Sequence, residues 1–81
     1  MAIELSKHAL DMLKERKIHE EWIWMALENQ DWKETKVDGN IHYFKSIPEH
    51  DNRLLHVIVN QNVLPNRVVT VFFDRKARRP K

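Results

Sequence analysis

The hydrophobic pattern of this chain changes period at Trp32, and that change limits the fold more than any other feature of the sequence. Before it, apolar residues recur at helical spacing; after it, they alternate or run on as in strands. From Ser6 to Ile18, Ala9, Leu10, Met12 and Leu13 form one stripe, while Lys7, Asp11, Lys14, Glu15 and Lys17 keep the other side wet. Ser6 is placed to accept from the free amides of the first turn. Lys17, Ile18 and His19 then make a tight connection. His19 stands at the cap of a second helix running to about Asn29, and Glu20 and Glu21 face the positive end of its dipole. Ile23, Ala26 and Leu27 form the inward line of this helix, with Ile18 as the staple beneath it. Trp22 and Met25 fall at the core margin. Trp24 lies well round the helix from Ala26, where it either covers a neighbouring strand or offers a partner surface.

Beyond Trp32, WKETKV, Asp38-Gly39 and NIHYFKSI predict a β-hairpin, because Asp-Gly supplies the positive φ angles that a two-residue turn requires. That turn sets Val37 opposite Asn40 and Thr35 opposite His42. Thr35, His42 and Phe44 then share one face, and Trp32, Ile41, Tyr43 and Ile47 share the face against the helices. RLLHVIVN and RVVTVFFD follow as strands apolar on both faces, the second with Val69, Val71 and Phe73 on one side and Val68, Thr70 and Phe72 on the other. Ala2 to Leu5 alternates and reads as an edge strand or an ordered arm. The expected fold is α+β: two N-terminal helices packed on one face of a three- to four-stranded, mostly antiparallel sheet. The opposite face, half covered, carries His42, Phe44, His56, Thr70 and Phe72. The whole chain, 1–81, reads as a single domain with a basic tail from about residue 75, formed by Arg75, Lys76, Arg78, Arg79 and Lys81. Such a tail is either a solvated end or a contact for phosphates or an acidic protein.

The residue inventory removes several chemistries. The single glycine, Gly39, is used in the hairpin, so a phosphate-binding glycine loop is excluded. No serine occupies a strand-to-helix elbow. The absence of cysteine removes disulfides and thiolate zinc sites and fits a reducing cytosol. No apolar run approaches the roughly 20 residues of a membrane span, and the first residues lack a basic segment followed by a hydrophobic one, so a cytoplasmic protein without membrane contact is expected. His42 and His56 can converge across adjacent strands with His50 in the loop between them, but no carboxylate is spaced as an obvious third ligand; no metal and no other cofactor is expected. Cleavage of RNA without a metal needs only a cation for the phosphate and a group that moves the proton of the ribose hydroxyl. His8, Arg16, His42, Tyr43, Lys45, Arg53, His56 and Arg75 include these types, an inventory with no specificity of its own.

A sharper expectation comes from a resemblance. His8-Ala9, Met12-Leu13, Arg16 and Ile18, followed by an acidic helix with Ile23, Ala26 and Leu27, resemble the opening signature of the bacterial domain of unknown function family 4258. That signature reads His-Ala, Arg-Met, Arg-Gly-Ile. The end is similar too, LLHVIV followed by VVTVFF, with Thr70 on the family's usual threonine. The likeness runs from about Leu5 to Phe73. It implies a RelE-like fold, related to toxins that cleave messenger RNA and are silenced by an antitoxin. His8, Arg16 and Thr70 carry over, whereas Met12 stands where the family has its first arginine and Lys17 where it has glycine. The expected catalytic set is therefore His8, Arg16 and His56, with Thr70, His42, Arg75 and Trp24 as binding residues. Each matched residue also has a structural reading: His8 bonded to a carbonyl, Arg16 closing its helix, Thr70 as a strand former. The expected partners are RNA and an antitoxin, or a second copy of the chain held through the second helix. The rival class is a non-enzymatic interaction module built on Trp22, Trp24 and Met25.

Overall fold

The computed structural model describes residues 3–77. The elements in chain order are β1 (Ile3–Leu5), α1 (Lys7–Arg16), α2 (Glu20–Asn29), β2 (Trp32–Thr35), β3 (Ile41–Ile47), a short 3-10 turn (Pro48–His50), β4 (Arg53–Asn60) and β5 (Asn66–Phe73). Ser6 caps α1 as its sequence predicts, its Oγ accepting from the Ala9 amide at 3.0 Å. The helix stops at Lys17, which adopts the left-handed conformation with φ 55° while the Ile18 amide donates back to the Leu13 carbonyl. His19 holds the cap position of α2, but its side chain caps nothing; its ring lies 4.5 Å from that of Trp22.

The sheet runs β1-β5-β4-β3-β2, with β1 parallel to β5 and every other pair antiparallel. It is thus a mixed sheet of five strands where three or four were expected, and a strand, not a helix, opens the described fold. The added strand is β1. Ile3, Glu4 and Leu5 align with Asn66, Arg67 and Val68, and the Ser6 amide extends the ladder to the Val68 carbonyl. Only three residues long, it is legible less from its own pattern than from the fact that the edge of β5 would otherwise be bare.

Both helices cover one face. Ala9 and Leu13 of α1, and Trp22, Ile23 and Ala26 of α2, close over Leu55, Val57, Val59, Val68 and Val71, with Ile18 and Ile47 sealing the ends. Trp22 is buried, as expected, whereas Leu27 is only partly so.

Two register expectations are corrected. The hairpin loop holds three residues, not two: Lys36 pairs with Asn40, the Gly39 amide donates to the Lys36 carbonyl, and Gly39 sits at φ 82°. Asp38 Oδ1 accepts from the Asn40 amide at 2.8 Å and favours this longer loop. Thr35 consequently faces Ile41, and Trp32 faces Phe44. One residue of slip exchanges the faces of β2, so Trp32 and Glu34 join His42 and Phe44 away from the helices. In β5, Ile58 faces Thr70 but Val59 faces Val68, so Val69 is the extra residue of a bulge. Val68 therefore lies in the core beside Val71, while Thr70 and Phe72 keep the far face.

Candidate functional site

On the face without helices, two ladders of side chains cross the strands. One is Glu34, His42, Ile58 and Thr70; the other is Trp32, Phe44, His56 and Phe72. In the second, Trp32 stacks on Phe44 with ring centroids 4.5 Å apart and planes 11° apart. The His56 ring fits between Phe44 at 4.3 Å and Phe72 at 4.7 Å. His42 and His56 are diagonal neighbours on adjacent strands, close enough for their rings to meet. They do: His42 Nδ1 and His56 Nε2 are 2.7 Å apart.

Each outer ring nitrogen meets a carboxylate. His42 Nε2 lies 3.2 Å from Asp38 Oδ2, and His56 Nδ1 lies 2.9 Å from Asp74 Oδ2. The result is an unbroken chain, Asp38, His42, His56, Asp74, spanning the hairpin loop, two central strands and the residue after β5. Both histidines are 7% exposed. Among the described residues no buried side-chain polar atom is left without a partner. Asp74 is fixed further, its Oδ1 accepting from the amides of Lys76 and Ala77 at 2.8 and 2.9 Å.

Counting protons shows what this chain can hold. It has three gaps, and each needs one proton to be a hydrogen bond. Two neutral imidazoles bring two protons, so every neutral arrangement leaves at least one pair of lone pairs facing each other. A pair with a single positive charge fills all three gaps. A pair with two charges sets two N–H groups head to head at the 2.7 Å contact. Burial accordingly pushes His56 below the usual histidine range; the Asp74 hydrogen bond opposes that and the charge on His42 adds to it. Asp74 is held below the usual carboxylate range: burial would raise it, but the His56 bond and the Lys76 and Ala77 amides outweigh that. Asp38 is also lowered, first by the Asn40 amide against a smaller opposing effect of burial, then by the bond from His42. Because the rings are in contact, a proton on either imidazole decides which hydrogen bonds the other can make.

The residues singled out in the sequence divide between the two sides of the sheet. His42, His56 and Thr70 meet on the face without helices, and Arg75 follows directly on Asp74. His8 and Arg16 lie exposed on α1, which packs on the other face against β5, so the sheet separates them from His56. Trp24 is also in the helical layer; its Nε1 donates to Glu20 Oε2 at 3.1 Å, and it lines a cavity with Ile3, Leu27, Glu28 and Tyr43. The sequence reading missed Asp38 and Asp74. The same alternation that places Phe72 beside His56 carries Asp74 two residues on to the same face, which was a usable signal. Among the described residues no group of three or more histidine, cysteine, aspartate or glutamate side chains is arranged to hold a metal ion.

Fold and site together define a small α+β domain, two helices on one face of a five-stranded mixed sheet with a carboxylate-flanked histidine pair on the other. The family whose description reads domain of unknown function (DUF4258) matches residues 5–73, and the chain belongs to it. No curated protein and no solved structure matches the chain. No helix among the described residues is long and apolar enough to cross a membrane.

Proposed function

We propose that this protein binds RNA on the sheet face without helices and cleaves it without a metal ion, as a toxin-type ribonuclease of the RelE-like kind. The observation that carries this reading is the 2.7 Å contact between two imidazoles whose outer nitrogens each meet a carboxylate. In such a pair His42 Nδ1 is held by His56, which leaves Nε2 to exchange a proton with substrate and suits a reaction in which a proton leaves a ribose hydroxyl and one reaches the departing oxygen.

In this reading Asp38, on the exposed hairpin loop, swings away from His42 Nε2, the longest link of the chain, and leaves that nitrogen open to substrate. His42 takes the proton of the 2′-hydroxyl. The 2′-oxygen bonds to phosphorus, the bond to the 5′-oxygen breaks, and His42 Nε2 gives the proton it has taken to that oxygen. The products are a 2′,3′-cyclic phosphate and a 5′-hydroxyl, with no oxidant and no net proton. His56 and Asp74 act as positioning residues that hold the His42 ring. Lys36, whose charge is felt at His56, answers the phosphate, and Trp32 and Phe72 offer half-buried rings for a base to stack on. The test is a short RNA incubated with the protein and excess chelator, read for cyclic phosphate ends. Cleavage that vanishes in His42→Gln, with the circular dichroism of the fold kept, supports the reading. Intact RNA after incubation with the unaltered protein overturns it.

A second reading, an interaction module for an antitoxin or a second copy, has its own observation. Trp24 borders an apolar cavity of about 270 Å³ on the helical side, so that surface is indented at one of the two places the sequence allows for Trp24, a partner surface. Unchanged solution mass and unchanged partner binding in Trp24→Ala would remove it.

A further inference from the structure

A second indentation, also about 270 Å³, lies where β4 begins and β5 ends, lined by Arg53, Leu54, Phe73, Asp74 and Arg75. We infer that it is a binding site for the terminal phosphate and adjoining nucleoside of an RNA end, a nucleoside monophosphate being the minimal ligand. The choice of RNA rests on the cleavage reading above; the phosphate and its neighbour rest on the pocket itself.

The side chains of the two arginines make no hydrogen bond or ion pair with another described residue, although other basic side chains of the domain, such as Lys36, Lys45 and Arg67, do find carboxylates. Guanidiniums that converge on a pocket without a carboxylate partner suit an oxyanion. Asp74 is the only acid in the lining, and both its oxygens are occupied, Oδ2 by His56 and Oδ1 by two backbone amides. Its remaining charge is one against two. To the net positive charge that remains, a phosphomonoester carrying about −1.5 to −2 at neutral pH is drawn more strongly than a diester with a single charge. Leu54 and Phe73 supply apolar wall, and Phe73 is braced from behind by His50, stacked at 4.5 Å. A bare anion has no use for that wall, whereas a base or ribose does. The volume is slightly below the roughly 300 Å³ at which ligand pockets usually begin, which limits the occupant to about one nucleotide.

The pocket shares Asp74 with the histidine chain. A phosphate bound there adds negative charge beside the His56 end, so occupancy is visible at that ring. The experiment is a titration of the whole chain with uridine 3′-monophosphate, followed by calorimetry and by the imidazole signals of His56. Uridine, inorganic phosphate and the diester UpU serve as separate arms. The expected result is binding by the monophosphate, with at least tenfold weaker binding of each of the other three and an upward shift of the His56 titration on saturation. Arg53→Gln and Arg75→Gln should each weaken binding roughly tenfold, while Lys14→Gln, on the exposed side of α1, should not. Absence of monophosphate binding, or binding unchanged in the double arginine variant, overturns the site. Inorganic phosphate as tight as the monophosphate overturns the nucleotide assignment. Because the ligand has no bond to be cut, a protein that binds it yet leaves RNA intact loses the cleavage reading and keeps the pocket.

Discussion

The two faces of the sheet solve the same problem, burial of a flat surface, by different means. The buried core of the covered face is apolar: Val57, Val59, Leu55, Val68 and Val71 meet Ala9, Ile23 and Ala26 with no polar side chain among them. The other face has no helix over it, yet His42, Phe44 and His56 are almost as deeply buried, beneath stacked rings and a hairpin loop. The first face is stabilised by area removed from water and is indifferent to protons. The second holds four titratable groups in series, and its two rings are satisfied only by their neighbours there, so its stability depends on their charge states. A domain of 81 residues has little surplus stability to spend on such an arrangement.

The largest effect separating the faces is expected in the core. Ile23 is fully buried between α2 and the sheet, and Ile23→Ala removes it from a site that cannot collapse easily; the cost should be about 2–5 kcal/mol, read from the urea midpoint. A loss under 1 kcal/mol would mean that the helices are loosely seated and that the two faces do not differ in packing.

Next come the histidines. His56→Ala leaves His42 Nδ1 and Asp74 Oδ2 without their partner and should cost roughly 1–3 kcal/mol. Replacing both rings at once, in His42→Leu with His56→Leu, leaves no orphaned ring nitrogen, and Asp74 keeps its two amides. The double variant should therefore be at least as stable as the single one while RNA cleavage is lost. A double variant that costs the sum of the two single changes would show that the rings do not interact, and the chain of hydrogen bonds would be refuted.

The two ends of that chain differ in the same sense. The side chain of Asp74 is 17% exposed and that of Asp38 is 47% exposed. Asp74→Asn should destabilise by roughly 1 kcal/mol or more, and added salt should not hide it. Asp38→Asn should have a smaller effect that salt diminishes, because its charge is screened by water. Equal, salt-resistant losses at both ends would mean that the hairpin loop is closed over His42, and would remove the route by which substrate reaches Nε2.

Much of this contrast is legible in the sequence, and what is not has definite causes. The period change at Trp32 separates helices from strands, the Ser6 cap starts α1 where expected, and period-two alternation places His42, Phe44, His56, Thr70 and Phe72 on one face. The hairpin turn is located correctly but misjudged by one residue, since Asp-Gly serves both two- and three-residue loops and only the Asp38 bond to Asn40 decides between them. That single residue moves Trp32 across the sheet. The bulge at Val69 is invisible because VVTVFF is apolar on both faces and tolerates either register. The carboxylates at the ends of the chain escape because each has an ordinary local explanation, a turn for Asp38 and a strand end for Asp74. His8 and Arg16, matched by family likeness, share an exposed helix on the face opposite His56, a separation that the expected packing of both helices on one face already implied.

The smallest effect, and the one specific to the uncovered face, is that of pH. His56 is pushed below the ordinary value of 6.5, so between its folded value and 6.5 the unfolded chain binds more protons there than the folded one. Stability should then decline as pH falls from about 6.5, because protons favour the unfolded state, and level off once His56 is charged in both. Asp38 and Asp74 lie below the ordinary 3.8; their contribution is complete above that value and is lost as pH falls through their folded values, giving a second decline in more acid solution. Urea midpoints across this range should show both steps, and His56→Phe should erase the first while leaving the second. No group in the apolar core can produce either. A profile flat between pH 7 and 5 would mean that His56 is as free to take a proton in the folded protein as in the unfolded chain. The face without helices would then be wetted by solvent, and the two imidazoles would be apart.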